Sequence, residues 1–152
     1  MLLVDMNQGH GNTQLFSQGQ PQCGLDDALE GEKRDTAQVQ DNLYLVAEGG
    51  NGEKLPQVMP KRFNLLVPKL KASDYDYIIF DMPPINQLSV TPRLARFMDM
   101  VLLVVESGKT DREAVKRAGA LLAESKANVA AVLNKNRNYI PRWLHRDVLS
   151  DG

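Results

Sequence analysis

Two aspartates follow short apolar runs in the sequence. Asp5 comes after Leu2–Val4, and Asp81 comes after Tyr77–Phe80. In an open parallel sheet the carboxyl ends of the strands share one edge, and ligands bind along that edge. Carboxylate oxygens are preferred ligands of Mg²⁺, which keeps several waters and takes further ligands from substrate phosphates. The pattern therefore predicts that Asp5 and Asp81 lie together and hold a hydrated Mg²⁺ beside the phosphates of a nucleotide.

Each aspartate also has a simpler interpretation. An aspartate after a strand commonly starts a turn, and Pro83 and Pro84 end the strand that precedes them. Taken alone, either aspartate leaves both interpretations open. Two carboxylates at the same edge could hold one metal ion between them, and this favours a metal site over two unrelated turns.

Apolar runs predict the strands that position these residues. There are five such runs: Leu2–Val4, Leu43–Ala47, Tyr77–Phe80, Met100–Val105 and Val129–Leu133. The first, third and fourth lack apolar/polar alternation, so we expect both faces of those strands to be covered, as in a parallel sheet between helices. Alternation of strands and helices along the chain predicts an α/β fold.

Three segments predict helices between the strands. Asp111–Lys126 carries one apolar stripe, and Thr110 with Glu113 has the spacing of a capping box. Thr91 followed by Pro92 marks a second helix start, because proline at the first helical position loses no hydrogen bond. A third helix is expected between Lys54 and Lys71, where Pro60 and Pro68 are predicted to kink or shorten it.

Composition limits the classes of protein that this chain can represent. The 152 residues carry 18 Lys and Arg against 19 Asp and Glu, a net charge of −1, which argues against a nucleic-acid partner. The single cysteine, Cys23, gives no internal disulfide. The longest apolar run, Met100–Val105, is too short to cross a bilayer, and no charged leader precedes the first strand. We expect one cytoplasmic domain.

Two segments resemble the nucleotide motifs of a known family. Leu2-Leu3-Val4-Asp5-Met6-Asn7 and Ile78-Ile79-Phe80-Asp81-Met82-Pro83-Pro84 look like the second and third motifs of bacterial tyrosine kinases. These are cytoplasmic ATPase-type domains of capsule and exopolysaccharide synthesis, in the deviant-Walker group that includes the septum-site ATPase. Weaker similarities continue along the chain, at Gly24–Leu29, Asn42–Gly49, Asp99–Val105 and Val132–Asn134. The resemblance implies a doubly wound, mostly parallel sheet with helices on both faces, similar to P-loop NTPases.

The resemblance also assigns roles to individual residues. Asp81 is implied as the Walker B aspartate, bound to Mg²⁺ directly or through water. Asp5 is implied as the catalytic carboxylate near the γ-phosphate and the metal, with Asn7 beside it in the cofactor site. Asn134 is implied to contact the base. The implied cofactor is Mg-ATP.

The family's first strand and its phosphate-binding loop are not found in this sequence. Ser107-Gly108-Lys109-Thr110 is not that loop, because the first glycine would fall at Leu103 inside a strand. We therefore expect residues 1–152 to be a single domain, either N-terminally truncated or a degenerate copy. Such a chain is expected neither to hydrolyse ATP nor to bind it tightly by itself.

Loss of an inner strand leaves backbone groups of its neighbours without partners. Since buried backbone groups are rarely left unpaired, three outcomes are open. The neighbouring strands close onto each other, another chain fills the gap, or the protein continues upstream.

The implied function is transfer of the ATP γ-phosphoryl group to tyrosine in polysaccharide export. The implied partner is a membrane-embedded polysaccharide co-polymerase or an upstream transmembrane segment, which would bring the cytoplasmic domain to the inner membrane, and a homo-oligomer is left open. Two alternatives remain. One is an ATPase switch of the ParA or septum-site type, and the other is a non-enzymatic interaction module.

Overall fold

The computed structural model describes residues 1–6, 24–29, 34–47, 55–86 and 89–136. Within these residues there are six strands, four α-helices and one 3₁₀ helix. Their order is β1 (Leu2–Asp5), α1 (Leu25–Leu29), the 3₁₀ helix (Arg34–Ala37), β2 (Gln38–Gln40), β3 (Leu43–Ala47), α2 (Leu55–Ala72), β4 (Ile78–Asp81), α3 (Thr91–Ala95), β5 (Val101–Glu106), α4 (Arg112–Glu124) and β6 (Val129–Asn134). All five predicted strands are present, displaced by no more than one residue at either end. The structure adds β2, α1 and the 3₁₀ helix.

The strands form two sheets. The larger has the order β2-β3-β1-β4, and the smaller pairs β5 with β6. β1 lies parallel to both β3 and β4, β5 lies parallel to β6, and only β2 pairs in the antiparallel direction among the described strands. The predicted α/β fold with mostly parallel pairing is confirmed.

A core of apolar side chains holds α2 against the larger sheet. Leu2 and Val4 of β1 are fully buried, and Phe63 of α2 is 1% exposed. The ring of Phe63 lies 5.3 Å from that of Phe80 and 5.6 Å from that of Phe97, measured between centroids. Phe63 therefore joins β4, α2 and the segment after α3 in one cluster.

Helix α2 continues past both of its internal prolines. It spans 18 residues from Leu55 to Ala72, so the predicted shortening at Pro60 and Pro68 is wrong, while the predicted kink stays a prediction. Its neighbour α3 contacts both α2 and α4. Burial of the helix against the sheet offsets the backbone hydrogen bonds that the prolines cannot donate.

The expectation that both faces of β4 and β5 are covered is wrong. Ile79 of β4 is 47% exposed, and Leu102 and Val104 of β5 are 56% and 59% exposed. β4 and β5 also belong to separate sheets, so these two strands have not closed onto each other. Within the described residues, β4 pairs with β1 alone and β5 with β6 alone. In a parallel strand, successive residues direct their N–H and C=O groups to opposite sides of the strand. Half of these groups in β4 therefore point away from β1, and half of those in β5 point away from β6.

A cluster around Arg34 attaches the 3₁₀ helix to the larger sheet. The guanidinium lies over the rings of Tyr44 and Tyr75, at 4.6 and 4.4 Å from their centroids. Its Nη1 donates to both carboxylate oxygens of Asp74 at 2.7 Å. The hydroxyl of Tyr75 donates to the carbonyl of Ala28 at 3.1 Å, so the cluster also contacts α1.

This cluster predicts a loss of stability in acid. The hydrogen bond from Arg34 holds the pKa of Asp74 below its ordinary value of 3.8. A carboxylate with a lowered pKa stabilises the folded state above its ordinary pKa and loses that contribution as the pH falls through the folded value. The Asp74→Asn variant should therefore be less stable than the parent at neutral pH, and the difference should shrink below pH 3.8.

Urea unfolding of both proteins across this pH range measures the difference. Asp76→Asn is the matched control, since Asp76 is an exposed aspartate two residues away. A pH-dependent difference of equal size in this control would show that the contact with Arg34 is not the cause. A difference for Asp74→Asn that does not change with pH would contradict the prediction.

Candidate functional site

The structure brings Asp5 and Asp81 together. They are the last residues of β1 and β4, and they pair in register across these adjacent parallel strands. Both side chains are half-buried. The backbone N–H of Met6 donates to the carbonyl of Asp81 at 2.9 Å, which extends the pairing one residue beyond the strands. Residues in register on neighbouring strands are about 5 Å apart and share one face, so the side chains of Asp5 and Asp81 leave the sheet on the same face at this edge.

The segment after Asp81 is fixed from the other side by α3. The hydroxyl of Thr91 donates to the carbonyl of Pro83 at 2.9 Å, and Thr91 is 5% exposed. Met82 and Val90 pack against the main core. Asp81 is thus held between the ladder with β1 and a segment that α3 anchors.

The donor set at this edge suits Mg²⁺ with phosphate ligands. Asp5 and Asp81 supply hard carboxylate oxygens, and Mg²⁺ binds through one or two such groups plus water and phosphates. In the described part of the chain, no three His, Cys, Asp or Glu side chains lie together as a metal cluster. A closed zinc site of four protein ligands is therefore not formed by these residues. Asn7, predicted beside Asp5, lies outside the described residues.

Asn134 lies at the end of β6, in the smaller sheet. Its register partner is Glu106 of β5, so the strand ladders do not pair it with either aspartate. The backbone N–H of Ser107 donates to its carbonyl at 2.9 Å. Its side-chain Oδ1 accepts a hydrogen bond from the backbone N–H of Lys135 at 2.8 Å.

Glu106 is the centre of a charged cluster beside Asn134. Its carboxylate lies 2.9 Å from the ammonium of Lys135 and 3.3 Å from that of Lys109. These two contacts, with Lys135 the stronger, hold the pKa of Glu106 below its ordinary value. The contact between Glu106 and Lys135 joins the ends of β5 and β6.

The turn after Glu106 corrects one prediction. The backbone N–H of Glu106 donates to the Thr110 hydroxyl at 3.1 Å, so this side chain supports the turn. Helix α4 has Asp111 as its N-cap, without a side-chain capping hydrogen bond, and the predicted capping box is wrong. Gly108 in this turn has a φ of 72°, a conformation that favours glycine.

Sequence reasoning assigned no role to Glu106 or Lys135. Glu106 stands at a strand end, as Asp5 and Asp81 do, and this position was a usable indication. The contribution of Lys135 depends on its backbone conformation, with φ at 53°. No sequence pattern predicts that a lysine adopts a positive φ.

Sequence comparisons find relatives along part of the chain. No family model matches it. Two curated proteins with tyrosine-protein kinase names are similar to it. CapB of Staphylococcus aureus is 39% identical over 62 residues, and YwqD of Bacillus subtilis is 38% identical over 61 residues. The matched segment is 40% of this chain and 27% and 26% of the two relatives, so the chain spans about a quarter of their length.

Solved structures match most of the fold. The chimerical protein CapA2B2 gives a TM-score of 0.70 over 90% of this chain and 63% of that chain. The kinase domain of the Escherichia coli tyrosine kinase ETK gives 0.67 over 92% of this chain and 58% of that domain. A ParA family ATPase from Chlorobium tepidum gives 0.59 over 95% and 65%. Each is 22% identical to this chain, a level at which the match shows the fold.

Among the described helices, none combines the length and apolar character needed to cross a membrane. The fold matches and the sequence matches agree with the resemblance stated from the two aspartate motifs. The chain therefore has the P-loop-NTPase-like fold of bacterial tyrosine-kinase and ParA-type ATPase domains, and it is similar in sequence to the tyrosine-protein kinases CapB and YwqD.

Proposed function

We propose that this chain is the metal- and base-binding part of a bacterial tyrosine-kinase domain that serves capsule or exopolysaccharide synthesis. The observation that carries the proposal is the register pairing of Asp5 with Asp81 at one edge of the sheet. The similarity to CapB and YwqD adds the reaction class, which is transfer of the ATP γ-phosphoryl group to a tyrosine hydroxyl.

Each candidate site residue would have its own role in that reaction. Asp81 and Asp5 would hold Mg²⁺, and Asp5 would lie nearer the γ-phosphate. The metal, when bound, neutralises negative charge that gathers on the phosphate oxygens. Asn134 would contact the base, and Asn7 would complete the cofactor site beside Asp5. The ladder with β1 and the anchor at Thr91 keep Asp81 from moving as charge develops, which is what electrostatic catalysis requires.

The phosphate-binding loop is not among these 152 residues. We propose that residues 1–152 alone do not hydrolyse ATP, because backbone amides and a lysine that cradle phosphates are needed as well. The domain would act in the cytoplasm, brought to the inner membrane by a membrane-embedded polysaccharide co-polymerase or by an upstream transmembrane segment.

The test compares two forms of the protein. One is the 152-residue chain, and the other joins it to the coding sequence upstream through a glycine-rich loop with lysine. We expect ATP-dependent tyrosine labelling in the longer form alone, and loss of that labelling when Asp81 is replaced with asparagine. If the longer form folds but shows no tyrosine labelling, the remaining candidate function is a non-enzymatic interaction module. Micromolar Mg-ATP binding by the 152 residues alone would overturn the proposed dependence on the loop.

A second candidate is an ATPase switch for positioning in the cell. The fold match to the ParA family ATPase favours it. Such a switch needs either a membrane-targeting helix or a basic face for DNA, and the net charge of −1 gives no basic excess. ATP-dependent dimerisation without tyrosine labelling would identify this function.

A further inference from the structure

A cleft lies between helices α3 and α4, which contact each other. Its volume is about 390 Å³, and small-ligand sites in proteins span about 300–1,000 Å³. Pro92 and Leu121 are half-buried and give the cleft its apolar surface. The lining residues come from the two helices and their C-terminal caps: Pro92, Arg93, Arg96, Leu121, Glu124 and Ser125. The cleft therefore has the size and the mixed lining of a site for a small chemical group.

Positive charge is in excess in this cleft. Arg93 and Arg96 contribute two guanidinium groups, and Glu124 contributes one carboxylate. Residues three apart on a helix lie on the same side, so both guanidiniums reach the cleft from α3, while Leu94 and Ala95 between them are buried. Among the residues that the structure describes, none forms an ion pair with either arginine. Within this part of the chain, both groups are therefore available as hydrogen-bond donors to an anion.

Contact with the core restricts the Arg96 side chain. Its guanidinium carbon lies 4.7 Å from the centroid of the Phe97 ring, and that ring lies 5.6 Å from the ring of Phe63, which is 1% exposed. A guanidinium held over an aromatic ring keeps its planar set of N–H donors for a ligand. Since part of its conformational freedom is already lost, binding an anion costs less entropy. Arg96 is thus preorganised for such a contact.

A phosphate group on an aromatic ring matches these groups. Guanidinium groups pair with phosphate oxygens through two parallel hydrogen bonds, and a phosphorylated tyrosine carries a charge of about −1.5 to −2 at neutral pH. The attraction of the two arginines for that charge exceeds the repulsion from Glu124, because two positive groups oppose one negative group. The ring can lie against Pro92 and Leu121, which a free phosphate ion would leave uncovered. A phosphorylated tyrosine therefore uses both the charged and the apolar lining.

We propose that the α3–α4 cleft binds a phosphorylated tyrosine side chain. Arg93 and Arg96 bind the phosphate, and Leu121 and Pro92 contact the ring. The choice of tyrosine rests on the proposed kinase function, whose product is such a side chain, whereas the attraction of the two arginines for an anion does not. The cleft is thus a second site, formed by residues other than the two aspartates, and it takes the product of the reaction.

The first part of the test is an NMR titration of the 152-residue chain that follows the backbone amide signals of Arg93, Arg96 and Leu121. The probes are N-acetyl-phosphotyrosine amide, N-acetyl-tyrosine amide and inorganic phosphate. We expect the phosphotyrosine probe to shift these signals and the tyrosine probe to bind most weakly. Inorganic phosphate should bind about fivefold more weakly than the phosphotyrosine probe, because it buries no ring.

Two results of this titration would contradict the proposal. If the phosphotyrosine probe shifts none of these signals, or shifts signals centred on another part of the chain, the site is wrong. If inorganic phosphate binds as tightly as the phosphotyrosine probe, the recognition of the ring is wrong.

The second part of the test uses variants of the lining. Arg93→Met and Arg96→Met should each weaken binding of the phosphotyrosine probe by about three- to fivefold, the range for partly exposed ion pairs. Glu124→Gln should strengthen it by about twofold, because the repulsion of the phosphate is removed. Arg112→Met is the matched control, since it removes the same charge from an exposed arginine at the first position of α4, about 13 Å along the helix from Leu121.

The control should bind the probe as the parent does. Equal weakening in Arg112→Met would show that net charge alone attracts the probe, and weaker binding in Glu124→Gln would show that the phosphate does not lie in the cleft. Either result would overturn the proposal. None of these measurements requires phosphoryl transfer. If the probe binds as expected while the longer form shows no tyrosine labelling, the kinase function is wrong and the phosphotyrosine site is retained.

Discussion

Replacement of Phe63 with alanine is expected to lower the free energy of unfolding by about 3–5 kcal/mol. The ring is 1% exposed and contacts the rings of Phe80 and Phe97. Its loss removes buried apolar area and leaves a cavity where β4, α2 and the segment after α3 meet. Since domains of this size are stable by about 5–15 kcal/mol, the variant loses a large part of its stability.

Urea unfolding followed by circular dichroism measures this loss. Leu65→Ala is the matched control, because Leu65 lies two residues further along α2 and is 75% exposed. The control should change the free energy of unfolding by about 0.5 kcal/mol or less. Equal losses in the two variants would show that Phe63 is not central to the core.

Replacement of Asp81 with asparagine is expected to weaken Mn²⁺ binding at the β1–β4 edge by about tenfold or more. Mn²⁺ serves here as a paramagnetic substitute for Mg²⁺. Loss of a residue that merely supports a metal ligand already costs about tenfold, so loss of a ligand should cost at least as much. Asp5→Asn should have a similar effect, since the two carboxylates pair in register.

The measurement is the broadening of the Met6 amide signal as Mn²⁺ is added. Met6 is next to Asp5, and its N–H donates to the carbonyl of Asp81. Asp76→Asn is the control, because Asp76 precedes the same strand at its opposite end. Broadening that persists in Asp81→Asn, or that centres on another part of the chain, would show that the metal does not bind at this edge. The proposed kinase site would then be wrong.

The sequence was least informative about which faces of the strands are buried in the folded protein. Uninterrupted apolar runs predicted full cover for β4 and β5, yet Ile79, Leu102 and Val104 are exposed. An apolar run shows that a strand can be buried on both faces, but neighbouring elements decide whether it is. The same limit applies to α2, which continues past Pro68 where Phe63, Leu66, Val67 and Leu70 pack in the core.

The capping box failed for a related reason. Thr110 has the right spacing from Glu113, but its hydroxyl accepts a hydrogen bond from the N–H of Glu106 instead. A short polar side chain has several backbone partners within reach, and the geometry of the turn selects one of them.

The amino-acid sequence by itself determined the strands and the polar residues that end them, because an apolar run and the polar residue after it are local features. Tertiary structure decided which of these ends meet. Asp5 and Asp81 are 76 positions apart in the chain, and the register of β1 against β4 sets them side by side. The ion pair of Glu106 with Lys135 likewise joins residues 29 positions apart, across the paired ends of β5 and β6. Strand register is set by packing between distant segments, so local sequence patterns do not reveal it.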